Sequence, residues 1–255
     1  MLNVIKSECY KTKKRLYPYL FVGIILALIL AMVITIAMQN QLRADGVRSA
    51  YEDIVTLIIP LLSLGIYIIP PVTDMVFSEE YKYQTLKNTL AFGTSRVSIY
   101  FGKLLTQLLV ALISLAAIIV VTAGSSYLLL GVGDANVAGG ITQLLLERVA
   151  LALPLWIGAL CISNMLAFAV KSSALYAMVY VGLFIGLAPI LELMGELSPA
   201  FLTIRSWLIT PQFAYVTMGG AVAQAGIWKC VGVGLGYAVL SCALGYLLFR
   251  KREVK

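Results

Sequence analysis

Residues 93–103, GTSRVSIYFGK, end in the Gly-Lys pair of a phosphate-cradling loop, where backbone amides hold a nucleotide and the lysine reaches its outer phosphates. Eight residues separate Gly93 from Gly102 where such a loop has four. Leu104 stands where a serine or threonine must reach magnesium. The chain thus holds no ATP site of its own. Gly232, Gly234 and Gly236 have the close spacing of a dinucleotide-binding turn, but Tyr237 fills the third glycine position and no strand precedes it. That spacing reads as helix packing. Glu79 and Glu80 with Gln84 approach an EExxxR metalloprotease pattern, yet the arginine is missing and the chain contains no histidine. Without histidine it also lacks the commonest general base and the commonest metal ligand. Cys9, Cys161, Cys230 and Cys242 are scattered, with no C-x-x-C pair, and imply no disulfide framework. The expectation is a non-enzymatic chain with no metal and no cofactor of its own.

The elements that must carry these residues are membrane spans. The chain is 61% hydrophobic and only 12% charged, and its mean hydropathy is +0.94. Soluble domains average about 45–50% apolar and about 25% charged residues. A hydrocarbon core of about 30 Å needs about 20 apolar residues in helical form. Seven charge-free runs are long enough, and six are read as spans, at 17–42, 54–77, 104–133, 143–170, 172–195 and 230–249. The seventh, within 196–229, carries Pro211, Gln212, Gly219, Gly220, Gln224 and Gly226 and sustains no apolar face. Broken or re-entrant helices packed on protein at the outer side suit it. An unstructured loop is the competing reading.

Charge settles the count. With six spans, fourteen of the 19 Lys and Arg residues share a side with both termini, leaving Arg43, Arg48, Arg148, Arg205 and Lys229 opposite. By the positive-inside rule the termini are cytoplasmic. The net charge of +7 then reflects attraction to anionic inner-leaflet lipid, not to nucleic acid. Residues 1–16 place Leu2, Ile5, Cys9 and Leu16 on one stripe with lysines between, as in an amphipathic helix in the headgroup plane. A plain basic anchor fits equally well. Pro60, Pro70 and Pro71 are expected to kink or break the second span. Gly182 and Gly186 in the fifth span, and Gly232, Gly236 and Ala243 in the sixth, allow close helix contact. No midplane charge and no matched halves appear, which disfavours an ion-coupled carrier.

One polar island, 78–103, interrupts the apolar sequence. Its charges would each cost about 2.5–3.5 kcal/mol at a bilayer centre, so it lies in water or on protein. Ser78 is expected to cap a short helix with Glu79 and Glu80 in its first turn. Gly93 would stop that helix, and Thr94 or Ser95 would cap the next. The bland reading is a solvated connector.

Phe77, Glu80, Thr85, Leu86, Lys87, then Gly93, Ser95, Arg96 and Lys103, resemble the cytoplasmic motif of ABC type-2 exporter permeases, F-x-x-E-x-x-x-G-T-L-K followed by P/G-x-S-R and a lysine. Gln84 replaces the usual glycine, which puts a tight backbone approach there in doubt. The six spans, basic start and outer segment extend the likeness over nearly the whole chain. The resemblance implies an all-α, polytopic permease, a single domain over 1–255, in a bacterial plasma membrane. It implies a coupling helix in which Glu79, Glu80, Tyr81, Gln84, Thr85, Lys87 and Asn88 contact a separate ABC ATP-binding subunit, present in two copies and carrying ATP and magnesium. Arg96 and Lys103 would anchor the next helix at the membrane edge. A second permease copy, as a homodimer, would pack on the first and fifth spans, with Gly182 and Gly186 in the contact. The absence of a large outer domain resembles the peptide or antibiotic branch, serving export or immunity. The rival is an ATP-independent carrier or membrane scaffold.

Overall fold

The computed structural model describes residues 1–42, 48–83, 86–170, 172–217 and 224–251, without the side chains of 78–88. The described residues form helices and no strand: α1 (Leu2–Lys14), α2 (Leu16–Leu42), α3 (Tyr51–Leu61), α4 (Gly65–Tyr83), α5 (Leu86–Ala91), α6 (Arg96–Leu130), α7 (Ala135–Ala169), α8 (Ser173–Met194), α9 (Pro199–Arg205), α10 (Ile209–Thr217) and α11 (Gln224–Lys251). Six segments are long and apolar enough to cross a membrane: α2, the α3–α4 pair, α6, α7, α8 and α11. Six crossings return the chain to the side where it began, called here the N-side; the opposite side is the far side.

The second span departs from the expected break. It is interrupted by a 3-10 turn, Leu62–Leu64, just after Pro60, and α4 continues as an α-helix through Pro70 and Pro71. Proline at position 70 has no N–H for the Ile66 carbonyl four residues earlier. The Tyr180 hydroxyl donates to that carbonyl at 3.2 Å, and Tyr176 donates to Pro70 O at 2.9 Å. Tyr180 of α8 thus replaces the donor that Pro70 removes, and Tyr176 adds a second tie to the same turn.

A second departure lies at the N-side end. Ser78 does not begin a helix, because α4 continues through it to Tyr83. No glycine or proline follows Pro71 in α4, so nothing interrupts the ladder there. The chain turns at Gly93, whose φ of 79° belongs to the left-handed region that glycine tolerates best. Ser95, not Thr94, caps α6 by accepting the Ser98 N–H at 3.2 Å. The third span therefore begins at Arg96, inside the segment expected to be polar.

The core centres on α7, more than half of whose apolar window is buried, 56% against 6% for α2. α7 and α11 make the most extensive pairing in the molecule. A Cβ on Gly158 would sit 2.6 Å from Gly234 O, and one on Gly234 would strike the Pro154 backbone, so the two helix backbones touch. This seam uses Gly158 and Gly234, whereas the expected Gly232 and Gly236 have open space beside them. At the N-side end Phe168 meets Phe77, Tyr100 and Phe249 with ring centroids 4.5–5.0 Å apart, closing α4, α6, α7 and α11 around one aromatic cluster. On the far side α9 and α10 occupy the doubtful segment. Phe213 of α10 is buried against Trp156 at 5.9 Å, and Arg148 of α7 donates to Val216 O at 2.8 Å.

Candidate coupling site

Helix α4 delivers the chain to the polar island, and its last membrane-embedded turn is gripped from two directions. The Arg15 guanidinium donates to Met75 O at 2.6 Å, and Lys103 Nζ donates to Val76 O at 3.3 Å. Lys103 is 1% exposed and lies beneath α1 instead of open at the rim. Its ammonium pairs with Glu8 at 3.0 Å and stands 4.9 Å from the centre of the Phe77 ring. Glu8 also takes Lys11 at 2.8 Å. Burial works to raise the Glu8 carboxyl, but the Lys103 charge and the hydrogen bonds from Lys11 and Lys103 outweigh it and hold it below its ordinary value. The protein-facing stripe of α1 is therefore Val4, Ile5, Glu8, Cys9 and Thr12, with the expected Cys9 thiol reaching Thr106 Oγ1 at 4.0 Å. Leu2 is exposed, and Val4 packs where a Gly102 side chain would be.

The return path is held as firmly. Arg96, first residue of α6, donates to Phe249 O at 2.6 Å and Arg250 O at 3.2 Å, and its guanidinium lies 5.5 Å from the Phe249 ring centre. A cation at the carbonyl end of α11 is also favoured by the helix dipole. Both ends of the island are thus tied to other helices.

Above this base runs a string of uncharged polar side chains, all fully buried. Tyr176 and Ser163 hydroxyls lie 3.1 Å apart, Ser163 and Thr73 2.8 Å, and Thr73 Oγ1 reaches Gln107 Oε1 at 3.2 Å. Gln107 Nε2 then donates to Asn164 Oδ1 at 2.9 Å. The string joins α8, α7, α4 and α6. Beside it the Tyr100 hydroxyl donates to Ser241 O on α11 at 3.3 Å. Polar groups inside a membrane bundle are costly unless they satisfy one another, which fixes relative helix positions.

A family model, that of the ABC-2 family transporter protein, matches residues 4–189, well over half of the chain and all of the site just described except Ser241 and the carbonyl end of α11. The chain belongs to this family. No curated protein matches the sequence. As an ABC-2 permease it is a multi-pass membrane subunit of an ABC transporter, and the family works with an ABC ATP-binding subunit.

In this permease the residues expected at the ATPase contact fall on the island itself. The backbone of Glu79, Glu80 and Tyr81 forms the last turns of α4, and that of Lys87 and Asn88 belongs to α5. Their side chains, and Gln84 and Thr85 entirely, lie outside the described residues. Gly182 and Gly186 face outward from α8, with no atom of another helix within 4 Å of a Cβ on either. Sequence reasoning missed Glu8, Thr73, Gln107, Ser163, Asn164 and Tyr176. A search for charges in the spans passes over uncharged polar groups. A signal existed, since Gln107 is the one carboxamide in 104–133 and Asn164 the one in 149–170.

Proposed function

We propose that this ABC-2 permease exports a hydrophobic or amphipathic substrate of the peptide or antibiotic class, driven by ATP hydrolysed with magnesium on two copies of a separate ATPase subunit. In this reading the N-side is the cytoplasm of a bacterial cell, because it holds fourteen of the 19 basic residues. Residues 78–95 form the surface that the ATPase grips, through Glu79, Glu80, Tyr81, Gln84, Thr85, Lys87 and Asn88. The basic face of α1 rests on anionic inner-leaflet lipid. A second copy of the chain packs against α2 and α8, the first and fifth spans that the family resemblance implies, to complete the translocation path.

The observation that carries the reading is the double attachment of the island within a chain of this family. Closure of an ATPase pair displaces whatever it grips. A loosely tethered loop would absorb that displacement. Here Met75 and Val76 are held by Arg15 and Lys103, and Arg96 is held by the end of α11, so the displacement passes into α4, α6 and α11. Transport needs a bundle whose two arrangements bind the ATPase differently. In this reading the buried string across α4, α6, α7 and α8 is the element that rearranges, since its hydrogen bonds link all four helices.

Co-purification tests this. An ABC ATPase should accompany the wild-type permease after gentle detergent extraction, and Glu80→Arg should reduce the amount recovered several-fold. Extraction of the wild type without any ATPase would overturn the reading.

A further inference from the structure

A half-open cleft of about 90 Å³ lies between α4, α6 and α7, lined by Gly65 and Val72, by Leu108 and Leu112, and by Trp156 and Leu160 among others. That is too narrow for a whole drug-sized ligand, whose sites run to about 300–1,000 Å³. The cleft's residues on α4 and α7 lie about 8–24 Å in from Phe77 and Ala169, the N-side ends of those two spans, at 1.5 Å per residue, so it opens within the hydrocarbon layer. We propose that it seats one acyl chain of a bilayer phospholipid.

The chemistry of the walls selects that occupant. The lining is alkyl and aromatic apart from two polar groups. The Ser114 hydroxyl is already donated to Val110 O at 2.8 Å. The Trp156 indole nitrogen has no hydrogen-bond partner among the described residues and lies against the backbone of Gly65, where a Cβ would come within 2.6 Å of it. A peptide or polar drug placed here would leave its own amides unpaired in hydrocarbon, at several kcal/mol each. A saturated or mono-unsaturated chain brings no polar group of its own that needs pairing.

The position gives the chain a consequence. Gly65 follows the 3-10 turn that interrupts the second span, and the Trp156 ring is held between it and Phe213 of α10. A chain seated on this wall braces the span just past that interruption, on the way to the coupling segment. The inference goes beyond the transport reading and does not depend on it.

The test uses the full-length permease with Trp207→Phe and Trp228→Phe, so that Trp156 is the sole tryptophan, reconstituted in phosphatidylcholine vesicles. Fluorescence is compared in lipids brominated near the chain end and near the headgroup. Chain-end bromines should quench Trp156 at least twofold more strongly, and Ala111→Phe, which fills the cleft from α6, should remove most of that difference. If Ala111→Phe fails to fold, Ser114→Leu fills the same wall and serves in its place. No preferential quenching, or quenching unchanged by the filled cleft, overturns the proposal, the latter because annular lipid outside the cleft would then account for the signal.

Discussion

The fourth and fifth spans carry glycines of the same sequence character and use them in opposite ways. Gly158 of α7 sits in a seam where α11 leaves no room for a methyl group, and Gly234 answers it from the other side. Gly182 and Gly186 of α8 face outward, and a Cβ on either would touch nothing from another helix. The difference extends to whole helices. α7 is committed to the interior along most of its length, while α2 exposes nearly every face. Small residues in a span therefore do not by themselves name a contact. They permit one, and the depth of the helix in the bundle decides whether the protein has already used it.

The sharpest way to break the comparison is to place the same side chain on both glycine types. Gly158→Leu drives a branched group into the Gly234 carbonyl, a backbone atom that cannot swing aside. It should cost about 3 kcal/mol or more, the upper end for overpacking, and lower the unfolding temperature in detergent sharply. A mild effect would mean that the α7–α11 seam is not close-packed. The next largest effect is expected at the base. Lys103→Met leaves the buried Glu8 carboxylate with Lys11 alone, at about 3 kcal/mol, the low end for breaking a buried pair. The readout is protease access to α1. The same contact predicts an acid limit. The Glu8 carboxyl is held low in the folded state, so its contribution is complete above the ordinary carboxylate range. It is lost as pH falls through the depressed value. Release of α1 already near neutral pH would contradict this.

Much of the fold was legible because membrane spans are written in one local property, the length of a charge-free run. All six were countable, and Gly93 and Ser95 announced the turn before α6. What could not be read depended on partners distant in the chain. Pro70 looks like a breaker until Tyr180, more than a hundred residues later, supplies a hydroxyl to the Ile66 carbonyl that the proline leaves without its helical donor. Lys103 looks like a rim anchor until Glu8, 95 residues earlier, is found against it. Ser78 looks like a cap because serine before two glutamates favours a helix start. The same residues also fit a continuing helix, and α4 was already in progress. The coupling residues themselves were chosen by resemblance, a kind of evidence that packing neither adds to nor subtracts from.

A subtler break falls on the polar string. Gln107→Leu removes the link between Thr73 and Asn164 while keeping the volume close to that of the native side chain. Interhelical hydrogen bonds in membranes are worth about 0.6–2 kcal/mol, so the fold should survive with a modest loss of thermal stability. Coupling should suffer more than stability. Substrate transport per ATP hydrolysed by the reconstituted complex should fall several-fold while ATPase binding stays unchanged. Equal losses of transport and binding would make the string mere scaffolding.

The smallest effect on the isolated fold is expected where the comparison began. Gly182→Leu adds a side chain to an outward face of α8 with nothing to strike, so the unfolding temperature of the monomer should move by little, within about 0.5 kcal/mol. If α8 packs on a second copy, the same leucine holds the two backbones apart, and the dimer fraction in mild detergent or in single-molecule photobleaching should fall several-fold. Gly186→Leu, one turn along, should act in the same direction. Dimer unaffected by both substitutions would leave this face to lipid and move the interface elsewhere, with α2 the next surface to probe because so little of it is covered.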